Sequence, residues 1–356
     1  MGLFFKRKGR LRGGAALCLS ALFLFPALTG RAGAQERPAA EPPLISARKL
    51  VPVGHTAGIK LFARGVLVVG LTEGNSPAKQ AGLAKGDIIA RCGGAAVTSS
   101  EEFQQLLQEA GGKPLALQVR RDDAIRTLTV TPEKNQQGVW AVGAWIRDSM
   151  AGIGTVTFYD PATGVFGALG HGITDTDTAK LMPFSSGSIL PSRVKAVKKG
   201  EAGSAGELRG DFTLTEELGE LCANTEEGVF GTLDNGGAFA QGEAVPVARD
   251  DEVTVGPAVV RTNVSGDEVR DYAVKITKIL SDSPDGRNML ITVTDPELLA
   301  QTGGIVQGMS GSPVLQNGKL VGAVTHVLLN DPTTGYGIFI ENMLKAANLA
   351  AVEKAG

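Results

Sequence analysis

The chain is 356 residues long, more than one hydrophobic core comfortably serves, and its 43% hydrophobic and 20% charged residues exclude both a disordered chain and a polytopic membrane protein. Its 48 glycines, about twice the usual share of roughly 7%, come with few aromatics and no G-x-y period, a composition of tight turns between short strands rather than of long helices. The net charge of −2 hides an asymmetry: residues 1–34 carry six basic side chains and no acid, which leaves 29 basic against 37 acidic residues, or −8, in the rest, and an acidic body disfavours nucleic acid.

In chain order, Lys6, Arg7, Lys8, Arg10 and Arg12 precede an apolar run from Gly13 to Leu28 and the small residues Ala32-Gly33-Ala34, the pattern of an export signal over 1–34. Residues 13–30 are short for a membrane span and contain Pro26, so cleavage is favoured over anchoring, although tilt and snorkelling of the flanking arginines would let an uncleaved signal hold the membrane. Cys18 lies in this segment, leaving Cys92 and Cys222 as the one conceivable pair. With no CxxC or Cys/His cluster, they read first as two small buried residues and only secondarily as a disulfide. Residues 35–50, with Pro38, Pro42 and Pro43, read as an extended linker.

Residues 51–132 read as one small α+β domain. Val66–Val69 is an apolar strand; Ser76-Pro77 supplies an N-cap and first-turn proline for a short helix stopped at Gly82; Asp87-Ile88-Ile89 opens a strand. Ser99 with Glu102 forms a capping box for a helix carrying Phe103, Leu106 and Leu107 on one face and ending at Gly111-Gly112, and Leu115 to Val130 alternates as a hairpin. This order, with GIKL at 58–61, SPAKQAGL at 76–83 and GDII at 86–89, resembles a PDZ domain of bacterial exported proteases. The resemblance implies capture of a peptide end by strand addition, at Gly58, Ile59, Lys60 and Leu61.

From 138 to 356 short strands recur between glycine-rich turns, at 153–158, 165–169, 253–261, 274–279 and 290–293. Helical signals are few, chiefly at 296–301 and 341–354, a pattern of a barrel or sandwich. The stretch from Gly304 to His326 joins a glycine-rich turn around Ser310 to a hairpin closed by Asn317-Gly318. A nucleophilic serine needs small neighbours and backbone N–H groups turned toward an oxyanion, which Gly308 and Gly311 suit. GMSGSP resembles the GDSGGP turn of chymotrypsin-like serine proteases. That resemblance implies a double β-barrel with Ser310 as nucleophile, the N–H groups of Gly308 and Ser310 as oxyanion hole, and Ser312 as a structural serine.

The base must be one of three histidines. His55 belongs to the PDZ edge; spacing leaves His171 and His326 nearly tied, and the chain order His–Asp–Ser favours His171. Spacing leaves Asp175, Asp177 and Asp295 open as the orienting carboxylate, since the first two suit turns and Asp295 suits an N-cap before Pro296.

Residues 144–178, KKGEAGSAGELRG at 198–210 and 303–326 together resemble the stage IV sporulation protein B peptidases of endospore-forming bacteria, PDZ-containing serine peptidases. This resemblance implies the triad His171, Asp295 and Ser310. It implies export across the forespore inner membrane into the space between the two forespore membranes and self-cleavage near the N-terminus. It further implies cleavage of a membrane-embedded regulator of an intramembrane protease, so that a mother-cell sigma factor is activated. Such chemistry requires no metal or cofactor. The competing expectations are a non-catalytic secreted PDZ scaffold and an HtrA-like quality-control protease; in the latter the protease precedes the PDZ, whereas here the PDZ comes first.

Overall fold

The computed structural model describes residues 48–355 apart from 123, 214–215, 235–238, 240, 282 and 284–285, so the signal segment and all but the end of the linker lie outside the described residues. The first strands and helices are β1 (Lys49–Pro52), β2 (Thr56–Leu71), α1 (Pro77–Gln80), β3 (Ile88–Cys92), β4 (Ala95–Ala96), α2 (Ser100–Ala110), β5 (Leu115–Arg121) and β6 (Ala124–Val130). A short pair, β7 (Glu133–Lys134) and β8 (Trp140–Ala141), precedes β9 (Ala144–Tyr159), β10 (Val165–Ala168), β11 (Phe184–Lys198), β12 (Glu207–Phe212), β13 (Gly219–Thr225), β14 (Gly228–Leu233) and β15 (Val245–Pro246). The C-terminal part holds β16 (Gly256–Ser265), β17 (Glu268–Ile279), β18 (Met289–Val293), α3 (Pro296–Thr302), β19 (Pro313–Gln316), β20 (Lys319–Leu328), β21 (Asp331–Phe339) and α4 (Ile340–Ala355).

Two six-stranded barrels follow from the pairing. In the first, β9, β10, β14, β13, β11 and β2 are neighbours in that order, and β2 pairs back with β9 to close the ring; in the second the order is β16-β17-β18-β21-β20-β19. Each has its own apolar filling. Ile59, Val156, Phe166, Ile189 and Val229 pack in the first, and Val260, Tyr272, Ile276, Ile291, Val314 and Val324 in the second. The chain is mainly β, a chymotrypsin-like double barrel with a PDZ domain at its N-terminal side.

The PDZ core is built as the sequence leads one to expect. Ser76 and Ser99 accept N-cap hydrogen bonds from Lys79 and Glu102, and α2 buries Phe103 and Leu107 and stops at a left-handed Gly111. Asp87, fully buried, is matched by a bidentate pair with Arg121 at 2.6 and 2.7 Å and by the Ala84 N–H, so its charge is compensated.

Strands are shared between the segments expected at 51–132 and 138–356. Residues 56–63 of β2 are a barrel strand, and only the far end of β2 joins the PDZ sheet through β3. Conversely, Ala144 to Arg147 of β9 pair with Leu71 to Leu67 of β2, and Val142, Ala144 and Ile146 pack with Phe103 and Leu107 in the PDZ core. Cys92 is buried in that core and Cys222 lies on β13, and no disulfide joins them.

Candidate active site

Ser310 sits on the turn between α3 and β19, and every peptide around it is held. The carbonyl of Gln307 accepts from the Leu208 N–H at 2.8 Å, that of Gly308 from Thr155 Oγ1 at 2.7 Å, that of Met309 from the Ser312 N–H at 2.9 Å, and that of Ser310 from the Thr155 N–H at 2.9 Å. A trans peptide points its N–H opposite to its carbonyl. Anchoring the Gln307 and Met309 carbonyls therefore turns the N–H groups of Gly308 and Ser310 the other way. Among the described residues the N–H groups of Gln307, Met309 and Gly311 donate to Gly206, Val306 and Val324, whereas those of Gly308 and Ser310 have no backbone acceptor, the condition for an oxyanion hole.

Two glycines make this turn possible. Gly308 has φ +98°, which strains any residue with a side chain, and Gly311 has φ +93° with a hypothetical Cβ only 2.0 Å from the Thr155 carbonyl oxygen, so a side chain there would have to displace backbone. Ser312 is fully buried and donates to Thr262 Oγ1 at 2.9 Å, a structural serine.

Ser310 lines a cleft of about 650 Å³ between the barrels. Its walls are Met150 to Gly154 of β9, the segment after β10 that carries His171, the 305–308 turn, and Thr325 and His326 of β20. The Ser310 hydroxyl donates to the Thr325 carbonyl at 2.6 Å. Nδ1 of His171 lies 2.9 Å from the Gly172 carbonyl; a carbonyl can only accept, so Nδ1 carries the proton and Nε2 keeps its lone pair, the tautomer a general base needs. Desolvation holds the imidazole below its ordinary pKa, and the Gly172 hydrogen bond opposes this only in part. The ring of His326 stands 4.8 Å from that of His171, tilted by 37°. Glu226 and Arg287 are the charged side chains on the walls. A larger cavity, about 1070 Å³, bounded by β2, β11, β13 and α4, contains no histidine.

Ser310, Gly308, His171 and also His326 are thus brought to one cleft, and Asp295 is not among its walls. The Asp295 carboxylate caps α3, accepting from the Glu297 and Leu298 N–H groups at 2.9 and 3.1 Å and from the Ala273 N–H at 3.3 Å; a carboxylate immediately before a first-turn proline is drawn to the helix end. Asp175 and Asp177 do not orient the imidazole either, since both pair with Arg147 of β9, and Asp175 also closes its own turn through Thr178.

The carboxylate-capturing loop expected at Gly58, Ile59, Lys60 and Leu61 is not formed. These residues pair with Ile153, Gly152, Ala151 and Met150 of β9 on one edge and with Leu190, Ile189, Ser188 and Gly187 of β11 on the other, which leaves no free strand edge; Ile59 lines the catalytic cleft instead. His55, expected at the PDZ edge, bonds the Thr56 carbonyl and stacks near Phe239, outside the cleft.

Thr155 and the 206–208 segment lie within stretches that carry the family resemblance, but the sequence alone assigns neither a role. Gly206 and Leu208 bracket Gln307 in a short parallel bridge, which gives the KKGEAGSAGELRG stretch a physical role as the buttress of the oxyanion turn. Among the described residues no three His, Cys, Asp or Glu side chains gather as a metal site.

Comparison with known proteins follows the same division. Residues 46–131 match the PDZ domain family. A 66-residue stretch is 36% identical to the Regulator of sigma-E protease RseP of Salmonella typhimurium, covering 18% of this chain and 15% of that protein. Another of 110 residues is 36% identical to a protein of Pasteurella multocida assigned as a zinc metalloprotease, covering 31% of this chain and 24% of that protein. The chain therefore spans a quarter or less of the length of these curated relatives. Solved structures include the Rv3671c protease of M. tuberculosis in an inactive form (13% identity, TM-score 0.31, 55% of this chain and 84% of that one) and the HtrA-type protease AlgW with a decapeptide (10% identity, TM-score 0.35, 84% and 65%). Residues 138–344, more than half of the chain, match the family described as SpoIVB peptidase S55. With a PDZ domain ahead of a double barrel that presents a held serine turn and an imidazole in one cleft, the chain belongs to the SpoIVB family of serine peptidases.

Proposed function

We propose that this chain is an endopeptidase that works by acyl transfer through Ser310 with His171 as base. The Ser310 hydroxyl leaves the Thr325 carbonyl and passes its proton to Nε2 of His171 while Oγ bonds to the scissile carbonyl carbon. The carbonyl π pair moves onto oxygen, which the Gly308 and Ser310 N–H groups receive. The proton on Nε2 then goes to the departing amine as the C–N bond breaks, and water releases the acyl group by the same steps in reverse. The observation that carries this reading is the pair of unclaimed N–H groups at Gly308 and Ser310 opening beside a serine and an imidazole of the right tautomer.

We further propose that the protein is exported across the forespore inner membrane, processes its own N-terminal region, and cuts a membrane-embedded regulator so that a mother-cell sigma factor is activated. Family membership and the basic–apolar pattern of residues 1–34 support this. N-terminal sequencing of wild type and Ser310→Ala recovered from sporulating cells tests it, with fluorophosphonate labelling of the purified proteins. Labelling and a trimmed N-terminus are expected in wild type alone. Equal trimming in Ser310→Ala, in cis and in trans, would overturn the nucleophile, and wild type that takes no label would leave a peptide-binding scaffold.

A further inference from the structure

We infer that one edge of β9 is a binding track for substrate: the stretch that follows the scissile bond adds to it as an antiparallel strand, from the catalytic cleft to the part of β9 that lies beside α2 in the PDZ domain. The inference deepens the proposed peptidase and rests on Ser310 as nucleophile with His171 as base. Between Ala144 and Thr155 one edge of β9 is taken by β2, whereas β1 and β10 join the other edge only from Val156 on. Among the described residues no strand covers that second edge from Ala144 to Gly154, and its Met150 to Gly154 stretch is a wall of the cleft. Thr155 gives its N–H to the Ser310 carbonyl and takes the Leu169 N–H, so its peptide groups turn away from β2; alternation along the strand turns those of Ile153 and Ala151 the same way. At the other end the Gly143 carbonyl takes the Thr72 N–H, which makes Leu71 and Ala144 a non-hydrogen-bonded pair, so Ala144 also directs its N–H and carbonyl outward.

The chemistry decides which half of the substrate uses this edge. Nε2 of His171 hands its proton to the departing amine, so the residues after the scissile bond leave on the first-barrel side, where His171 and β9 stand, and those before it face the 305–308 turn and Thr325. A segment that leaves Thr155 toward Ala144 runs against the direction of β9, the sense of an antiparallel pair. Ile153 and Ala144 are about 30 Å apart at roughly 3.3 Å per residue, so the edge takes roughly ten residues. Near its far end, α2 flanks β9 in the opposite direction: the Ser100 N–H bonds Asp148 at 2.7 Å, and the Gln108 amide bonds the Trp140 carbonyl at 2.7 Å. Ala144 and Ile146 pack toward the PDZ core, and Trp145 between them is 65% exposed. The edge therefore asks for an extended chain with a free N–H at every second residue and an apolar side chain where it passes Trp145.

The probe is unfolded β-casein. Its main cleavage site, mapped by mass spectrometry, supplies a long peptide with about a dozen residues after the scissile bond, a short one with about three, and two long forms N-methylated at alternate distal residues, one in each register. With the full wild-type chain the short peptide is expected to have a KM about tenfold above that of the long one, the worth of one or two backbone hydrogen bonds, and a kcat within about twofold of it. N-methylation in one register is expected to cost as much as the truncation and in the other far less, because an added strand turns only alternate N–H groups to its partner. Trp145→Ala is expected to close much of the gap between long and short peptides. Equal KM for the two peptides, or N-methylation equally costly or equally harmless in both registers, would overturn the inference, and these arms leave the protein unaltered. So would a gap that persists undiminished in a Trp145→Ala chain that melts with wild type. Casein and a p-nitrophenyl ester left uncut by wild type, or cut equally by Ser310→Ala, would instead refute the catalytic reading on which the inference stands.

Discussion

Thr155 is the residue whose removal tests the construction of the oxyanion turn most directly. It is fully buried in β9, donates its N–H to the Ser310 carbonyl and its hydroxyl to the Gly308 carbonyl at 2.7 Å. Thr155→Val keeps shape and backbone bonds and deletes only the hydroxyl, leaving a partly buried carbonyl without its donor, a loss of about 1 kcal/mol. If the whole loss appeared as stability, melting would fall by about 2–4 °C per kcal/mol. If it appeared as misorientation of the turn, kcat would fall toward the roughly 10²-fold cost of one oxyanion donor. Because the Gly308 carbonyl belongs to the peptide between the two that supply the N–H groups, both are expected: kcat about tenfold lower, KM within about twofold, and a melting temperature a few degrees lower. Thr155→Ser, which restores the hydroxyl, is expected to recover kcat. Steady-state kinetics and scanning calorimetry on the three proteins decide the matter. A Thr155→Val enzyme with lowered stability but undiminished kcat, or a Ser variant no better than Val, would refute the claim that Thr155 orients the turn.

Asp295→Ala removes an N-cap and is expected to cost about 1 kcal/mol of stability; a variant that melts with wild type yet has lost kcat by orders of magnitude would place this carboxylate at the imidazole after all. The depressed pKa of His171 keeps the base neutral below the usual histidine range near 6.5, so kcat/KM should hold into mildly acid solution and fall only below it, as a pH–rate profile would record. The same shift has a defined sign for stability: the unfolded chain binds the proton first, so folding is weakened as pH drops from about 6.5 to the folded value and is unaffected above it, which melting as a function of pH should show, with the step absent in His171→Gln. Burial in the PDZ core pushes the Cys92 thiol up to about 11, so it should resist alkylation at pH 8 until the protein is unfolded, and rapid native labelling at that position would mean that the core opens.

How much of this was legible in the sequence depended on how local the determining contacts are. Asn317-Gly318 turns with φ of +52° and +74°, and Ser76, Ser99 and the Asp295-Pro296 start all cap as read, because each signal is satisfied within four residues. The strand expected at 253–261 begins only at Gly256, since Asp250–Glu252 form a single tight turn first. β11 is not among the strands expected from the sequence: Ser185-Ser186-Gly187 and Pro191 give little local strand signal, and the strand exists because β2 and β13 flank it. GIKL failed for the same reason in reverse. Four residues cannot reveal that two partners from distant parts of the chain will take both edges. Likewise Ser310, Gly308 and His171 could be named from composition and family likeness, but the contact of His171 with His326 is a property of barrel closure and has no local trace.

β9 joins these observations. Its first residues, Ala144 to Arg147, complete the PDZ sheet against β2, and Met150 to Gly154 form a wall of the catalytic cleft. The next residue, Thr155, grips the Gly308 and Ser310 carbonyls. Two irregularities in the β2–β9 ladder, between Phe62 and Leu67 and between Val68 and Gly70, separate the stretch that joins the PDZ sheet from the stretch that ends at Thr155. One strand therefore both completes the PDZ core and holds the turn that carries Ser310. For that reason the PDZ segment is not a module appended at residue 132: its edge and part of its core are made of the strand that shapes the active site.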